Sequence, residues 1–155
     1  YIQPVFIDLD MNTVEPAIGA QRMDKVYAWK SMLDMGIHTS GGSDAPVVSF
    51  DAMENIYFAV TRKNISGQPQ EGWIPSEKIS VDEAVKLFTK NAAYASYTEK
   101  ENGTIETGKN ADLVVLEKDI YSIDLYEIDP DEIKATKVDM TVLGGEIVYE
   151  REVEE

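Results

Sequence analysis

The sequence predicts an α/β fold in which two parallel strands joined by a helix lead into further helices and then into a β-rich C-terminal region. Three observations carry this expectation. Residues 1–7 and 36–42 are β-rich runs separated by a segment of helical period. Strand, helix and strand in about 40 residues is the order and length of a right-handed crossover between parallel strands. Residues 51–62 and 80–96 carry apolar stripes at helical spacing behind capping signals, whereas residues 111–116 and 138–150 have the length, alternation and glycine punctuation of strands.

Taken in order, residues 1–7 open the chain inside what reads as a strand, as expected of a fragment rather than a natural domain start. Pro4 has no amide to donate, so that strand is expected to stop near it. Residues 8–18 read as polar and irregular. Gly19 leads into residues 20–35, where Met23, Val26, Tyr27 and Leu33 fall at helical spacing, and Gly36 is placed to cap that helix. The next strand, 36–42, runs into a glycine-rich turn that presents Asp44. There Gly41 and Gly42 let the backbone turn or approach a ligand closely, and Pro46 ends any ladder.

After this turn, Met53, Ile56, Tyr57 and Val60 recur at i, i+3, i+4 and i+7, with Asp51 and Glu54 at capping-box spacing, which predicts a helix over 51–62. Residues 63–77 hold Gly67, Pro69, Gly72 and Pro75 without a period and read as a long loop of the kind that often covers a site. Ser80 and Glu83 form a capping box ahead of the stripe Val81, Ala84, Val85, Phe88 and Ala92, which runs into the alanine-rich 91–96. From residue 99 the character turns to β. Asn102-Gly103 marks a tight turn, 111–116 a compact strand, 138–142 an alternating strand, and Gly144-Gly145 a two-residue hairpin into 146–150. Residues 119–134 read as an acidic surface stretch broken by Pro130, and Glu154-Glu155 as a frayed end. The boundary falls between 1–98 and 99–155.

Composition narrows the function classes. The chain has 155 residues, 43% hydrophobic and 28% charged, which is ordinary for one globular domain with a core. Its 29 acidic against 14 basic residues, net charge −15, repel phosphate backbones and anionic lipid, so no nucleic-acid and no membrane partner is expected. No cysteine is present, so there is neither a disulfide framework nor a thiolate metal site, as suits a reducing cytoplasm. No apolar run approaches the roughly 18 residues of a membrane span, and no signal peptide is read at the start. A cytoplasmic protein is the expectation.

Asp44 has two readings at this point. It is either a turn aspartate bonding its own backbone, or an acid held at the carboxyl end of a strand, where α/β enzymes place their chemistry. The single histidine, His38, precedes it by a run of about 20 Å at strand rise and reads as structural. Tyr27, Trp29 and Tyr57 read as packing rather than pocket lining.

Several ordered pieces then resemble one family: Gln3-Pro4, residues 19–22, Gly42-Ser-Asp-Ala-Pro-Val47, Ala59-Val-Thr-Arg62, residues 80–84 and 89–95, Gly103-Thr-Ile105, and Gly108-Lys-Asn-Ala-Asp-Leu-Val-Val-Leu116. In this register the chain resembles the C-terminal portion of a metal-dependent amidohydrolase of the YtcJ-like, exoenzyme-regulatory type, which includes N-substituted formamide deformylases.

The resemblance implies the last strands and helices of a (β/α)8 barrel followed by C-terminal strands of a small β-sandwich. Residues 1–3 would be the seventh strand, 36–42 the eighth, and 103–149 the sandwich contribution. It also implies a divalent metal, zinc by expectation, held in the full-length enzyme with histidines that this chain lacks. Asp44 would be metal ligand and proton shuttle in hydrolysis of a carbon–nitrogen bond of a small-molecule substrate, an amide, formamide or cyclic amide. Gln3, Arg22 and Ser43 are candidate substrate contacts, with Ser43 also shaping the turn. The chain alone is expected to be inactive, to bind no metal well, and to need the missing N-terminal part or a second copy as partner. The competing class is a non-catalytic binding or regulatory protein that keeps the fold; upstream histidines would favour the enzyme.

Overall fold

The computed structural model describes residues 1–122 and 129–152. Residues 123–128 of the expected acidic stretch, and the expected frayed end at Glu154-Glu155, lie outside the described residues. Among those described, the helices are α1 (Phe6–Asp10), α2 (Val14–Ile18), α3 (Trp29–Asp34), α4 (Ala52–Thr61), α5 (Val81–Phe88), α6 (Lys90–Ala95) and α7 (Asp131–Ala135). The strands are β1 (Leu113–Leu116), β2 (Val138–Leu143) and β3 (Glu146–Glu150). No described helix is long and apolar enough to cross a membrane.

The first expected strand is shorter than its composition, because the chain turns at Pro4 and residues from Phe6 onward enter α1. Its partner before Asp44 is equally brief. The two meet in a single parallel bridge, Ile2 to Gly41, with Ile2 N donating to Ser40 O and Gly42 N donating to Ile2 O, both at 2.9 Å. The parallel sense fits the predicted crossover, but two strands without further neighbours keep little of a ladder.

The connection is also more broken than its periodicity. Residues 8–18, expected to be irregular, contain most of α1 and all of α2, and the expected helix over 20–35 splits into a 3-10 segment, Ala20–Lys25, and α3. Tyr27 marks the break with φ of 48°. Gly36 caps α3 as predicted, with φ of 74° and Ile37 N donating to Met32 O at 3.1 Å.

α4 is the central element, buried at Asn55, Ile56, Tyr57, Phe58, Ala59 and Thr61. Asp51 caps it, accepting from Met53 N at 2.7 Å and Glu54 N at 3.4 Å. Asn55 is wholly buried and satisfied at both ends, accepting from Val5 N at 3.2 Å and donating to Asp51 O at 2.9 Å. α5 opens on the predicted capping box, with both reciprocal bonds between Ser80 and Glu83 present. The backbone then breaks at Thr89, so the expected continuous helix is the pair α5 and α6.

At the C-terminal end of α4 the chain buries a cation. Arg62 has φ of 54° and no exposed surface. Its Nε donates to Trp73 O at 2.6 Å and its Nη1 to Tyr27 O at 3.0 Å, with the Trp29 ring 4.8 Å and the Trp73 ring 5.8 Å from the guanidinium carbon. Burial lowers this guanidinium to about 10, and the nearby Glu77 carboxylate works against that shift. Glu77 is itself buried and accepts from Ser31 N at 2.9 Å and from Ser31 Oγ at 2.5 Å.

The long loop over 63–77 is held along its length. It folds back onto this end of α4, where Trp73 N donates to Arg62 O at 2.7 Å and Ile79 N to Ala59 O at 3.4 Å. Asp8 and Lys134 hold its other side through Ile65 N and Ile65 O, at 2.8 Å and 3.0 Å.

Beyond α6, Lys109 pins the turn before β1. Its ammonium donates to Glu99 O at 2.8 Å, Asn102 O at 3.3 Å and Thr104 Oγ1 at 2.6 Å. The three strands form an antiparallel sheet in the order β1-β2-β3, and Gly144 and Gly145 make the hairpin with φ of 58° and 88°, as their sequence predicts. Pro130 opens α7 instead of merely interrupting an acidic surface. α7 buries Ile133 in the same core as α4, so this stretch is only partly surface.

Two outcomes test this packing. In the full-length polypeptide, Arg62→Met strands the Tyr27 and Trp73 carbonyls and should lower unfolding free energy by about 3–5 kcal/mol, with Arg62→Lys recovering little because an ammonium lacks the planar fork. A urea midpoint close to wild type for Arg62→Met would show that the buried cation is not structurally important.

Burial, followed by the charge of Asp131, pushes the Tyr57 phenol from the usual 10 up to about 12, and burial also raises Tyr27, which bonds Asp10. A raised phenol stabilises the fold fully below pH 10 and loses that contribution as pH rises through its folded value. Arg62, being lowered, acts in the opposite sense over the same range, but two phenols outweigh one guanidinium. Urea midpoints should therefore fall as pH rises from 10 toward about 12, and fall less steeply in Tyr57→Phe. Parallel slopes for the two proteins would contradict the assignment.

Candidate active site at Asp44

The Ile2 to Gly41 bridge sets Gln3 beside Gly42 and directs both chains toward the same end, with Ser43 and Asp44 following. Gly41 is required by packing. Its N–H donates to Leu87 O at 3.0 Å, and a Cβ built there would lie 2.7 Å from Phe88 Cζ and 3.1 Å from Leu87 Cβ. The close approach is therefore to α5 and not to a ligand, which corrects the sequence expectation for this glycine. Gly42, in contrast, faces open space within 4 Å of an added Cβ.

Asp44 is exposed and has φ of 59°, a left-handed conformation that aspartate adopts more readily than most residues. The local bonds of its turn are made by other atoms: Ala45 N donates to Ser43 Oγ at 3.3 Å, and Val47 N donates to the main-chain O of Asp44 at 3.0 Å. No hydrogen bond or ion pair engages the Asp44 carboxylate among the described residues. The turn is thus satisfied without the side chain that the structural reading of Asp44 would have used.

The other candidates are placed less tightly. Gln3 is half-buried, and its main-chain O accepts from Phe6 N at 3.1 Å, closing the turn into α1. Arg22 is exposed on the 3-10 segment, and no hydrogen bond or ion pair among the described residues links it to the Asp44 turn. His38 is exposed and stacks on Tyr94, ring centroids 4.2 Å apart at 17°. Thr39, behind it, is buried and its O accepts from Asn91 Nδ2 at 2.8 Å. Trp29 and Tyr57 are core residues, as expected of packing aromatics.

Among the described residues, no three of His, Cys, Asp and Glu come together closely enough to hold a metal ion. Asp44 offers one carboxylate donor and no more. Sequence reasoning missed the exposed apolar pair Val47 and Phe50 on the segment that leads from Asp44 to α4. The available signal was that Phe50 precedes the capping residue Asp51 and so falls outside the helical stripe.

Comparison with known proteins gives the family. The sequence profile described as "Amidohydrolase family" matches residues 1–149. The chain is 38% identical over 150 residues to the YtcJ protein of Bacillus subtilis (strain 168), covering 97% of this chain and 27% of that protein. It is 36% identical over 127 residues to the N-substituted formamide deformylase of Arthrobacter pascens, covering 82% of this chain and 22% of that one. A crystal structure of an uncharacterized metal-dependent hydrolase from Pyrococcus furiosus superposes with a TM-score of 0.55 at 26% identity, over 70% of this chain and 21% of that chain. The chain spans about a quarter of the length of the curated relatives it matches. With a profile match along nearly all of its length and relatives at 38% and 36% identity, the chain belongs to the amidohydrolase family.

Proposed function

We propose that, in the full-length protein, Asp44 serves as metal ligand and proton shuttle in the hydrolysis of a carbon–nitrogen bond of an amide, formamide or cyclic amide. One observation carries the reading: the Asp44 carboxylate is exposed and, among the described residues, unpaired three residues past the parallel bridge of Ile2 and Gly41, on a turn that satisfies itself with other atoms. Open α/β folds present their reacting side chains just past the carboxyl ends of their strands. The family match and the relatives' names support the reaction class.

In this reading residues 1–98 close a (β/α)8 barrel, with the Ile2 to Gly41 bridge between its last two strands, and residues 99–155 contribute to a flanking β-sandwich. Asp44 fits a divalent ion as one donor of a larger set, the other donors belonging to the rest of the full-length protein. Such an ion, zinc by its acceptance of carboxylate and imidazole donors, supplies a water of lowered pKa. The carboxylate of Asp44 accepts the proton of the attacking water and returns it to the leaving nitrogen. Ser43 holds the turn through Ala45 N, while Gln3, whose backbone lies beside Gly42, is proposed to hydrogen-bond the substrate. Arg22, whose guanidinium is exposed and unpaired among the described residues, is proposed as a contact for an anionic substituent. The apolar surfaces left bare here are proposed to be covered by the remainder of the polypeptide or by a second copy.

In the full-length enzyme, Asp44→Asn should keep the fold and lower turnover about a hundredfold or more. Near-normal turnover in a variant that melts like wild type would remove Asp44 from catalysis, whereas a full-length wild-type protein without turnover would favour the binding-protein reading.

The chain expressed alone should be inactive, should take up zinc more weakly than micromolar in calorimetric titration, and should scatter light as an associated species. A cooperatively unfolding monomer with submicromolar zinc affinity lost in Asp44→Ala would overturn this division of the site.

A further inference from the structure

The short strand before Asp44 is held from both edges. Toward residue 2, Ser40 O accepts from Ile2 N and Gly42 N donates to Ile2 O, both at 2.9 Å. Backbone groups alternate between the two edges of a strand, so Thr39 O and Gly41 N face the other way. There the partner is not a strand. Gly41 N donates to Leu87 O at 3.0 Å, and Asn91 Nδ2 donates to Thr39 O at 2.8 Å. Thr39 and Ser40 are both buried.

The break between α5 and α6 makes these two bonds available. In an uninterrupted helix, Leu87 O would accept from Asn91 N, four residues on. At Thr89 the backbone leaves helical values, with φ of −125° and ψ of −97°, and Leu87 O takes Gly41 N instead. The junction is itself held. Thr89 Oγ1 donates to Val85 O at 2.9 Å, and a Cβ built on Gly103 would lie 2.7 Å from Ala93 Cβ and 3.0 Å from Lys90 Cα, so the turn at Gly103 packs directly on α6.

We infer that the junction of α5 and α6 is a clamp on the strand that leads to Asp44, and that Asn91 is a positioning residue for the Asp44 carboxylate. This rests on the reading of Asp44 as a metal ligand. Asn91 acts through the backbone at Thr39, five residues before the acid, and touches neither metal nor substrate. With a single parallel bridge along its other edge, the strand has few bonds to spare. Loss of the Asn91 amide leaves Thr39 O buried without its donor and lets the residues that carry Asp44 shift.

The test uses the full-length protein with zinc as the probe. Asn91→Ala should weaken zinc affinity about tenfold in competition against a chelator, the scale seen when groups that orient a metal ligand are removed. Hydrogen exchange should quicken in a peptide covering 39–48 and stay unchanged in one covering α4. Asn91→Asp, the same shape without the amide donor, gives both readouts should Asn91→Ala fail to fold. Ile133→Val, which trims a buried side chain of α7, controls for general loss of stability and should leave zinc affinity unchanged. Unchanged zinc affinity, or unchanged exchange over 39–48, in a folded Asn91 variant would overturn the clamp, and weak zinc binding by Asp44→Ala would leave the reading of Asp44 standing. Faster exchange throughout the protein, α4 included, would make Asn91 a general packing residue and also overturn the clamp. Wild-type zinc affinity in Asp44→Ala would overturn both.

Discussion

The buried guanidinium of Arg62 is the constraint on which the rest of this structure depends. A cation without exposed surface is tolerated only where hydrogen bonds and ring faces replace its water, and each replacement here ties down a separate piece of chain. Trp73 O fixes the returning loop, Tyr27 O fixes the break before α3, and the two indole rings close over the charge. Because Arg62 ends α4 in a left-handed conformation, these ties converge on one end of the central helix. The other end carries the Asp51 cap and the segment from Asp44. α4 is thus a strut about 15 Å long at helical rise, anchored by a buried charge at one end and presenting the acid's turn at the other.

This arrangement separates what was legible in the sequence from what was not. The caps at Asp51 and Ser80, the glycine closing α3 and the two-glycine hairpin are local devices whose partners lie within a few residues, so composition and spacing suffice to read them. The lengths of the first two strands are not local. Residues 1–7 have strand composition throughout, yet only Ile2 finds a partner, and past Pro4 the chain satisfies its amides by turning into α1. Arg62 was readable as part of a motif but not as core, since nothing in a lone arginine after a helix announces that two tryptophans from other segments will cover it.

The candidate site was legible to a similar degree. The glycine-rich turn and Asp44 stand out in the sequence, and the structure adds that the carboxylate is free of its own turn. What spacing could not supply was the reason for Gly41, which depends on α5 arriving from more than forty residues away. Nor could it show the outward direction of Val47 and Phe50, which depends on Val48 packing inward.

Gly41 has a consequence for how this part of the molecule can vary. A side chain there would press on Leu87 and Phe88, and the strain would pass along the backbone into the acid three residues on. The flank before Asp44 is therefore rigid against substitution, and the flank after residue 50 is equally so because of the Asp51 cap. Val47 and Phe50 lie between these fixed points with little packed against them. Substitution is therefore cheapest at Val47 and Phe50 and costliest at Gly41 and Asp51, so the segment between can vary in sequence without disturbing the elements on either side of it.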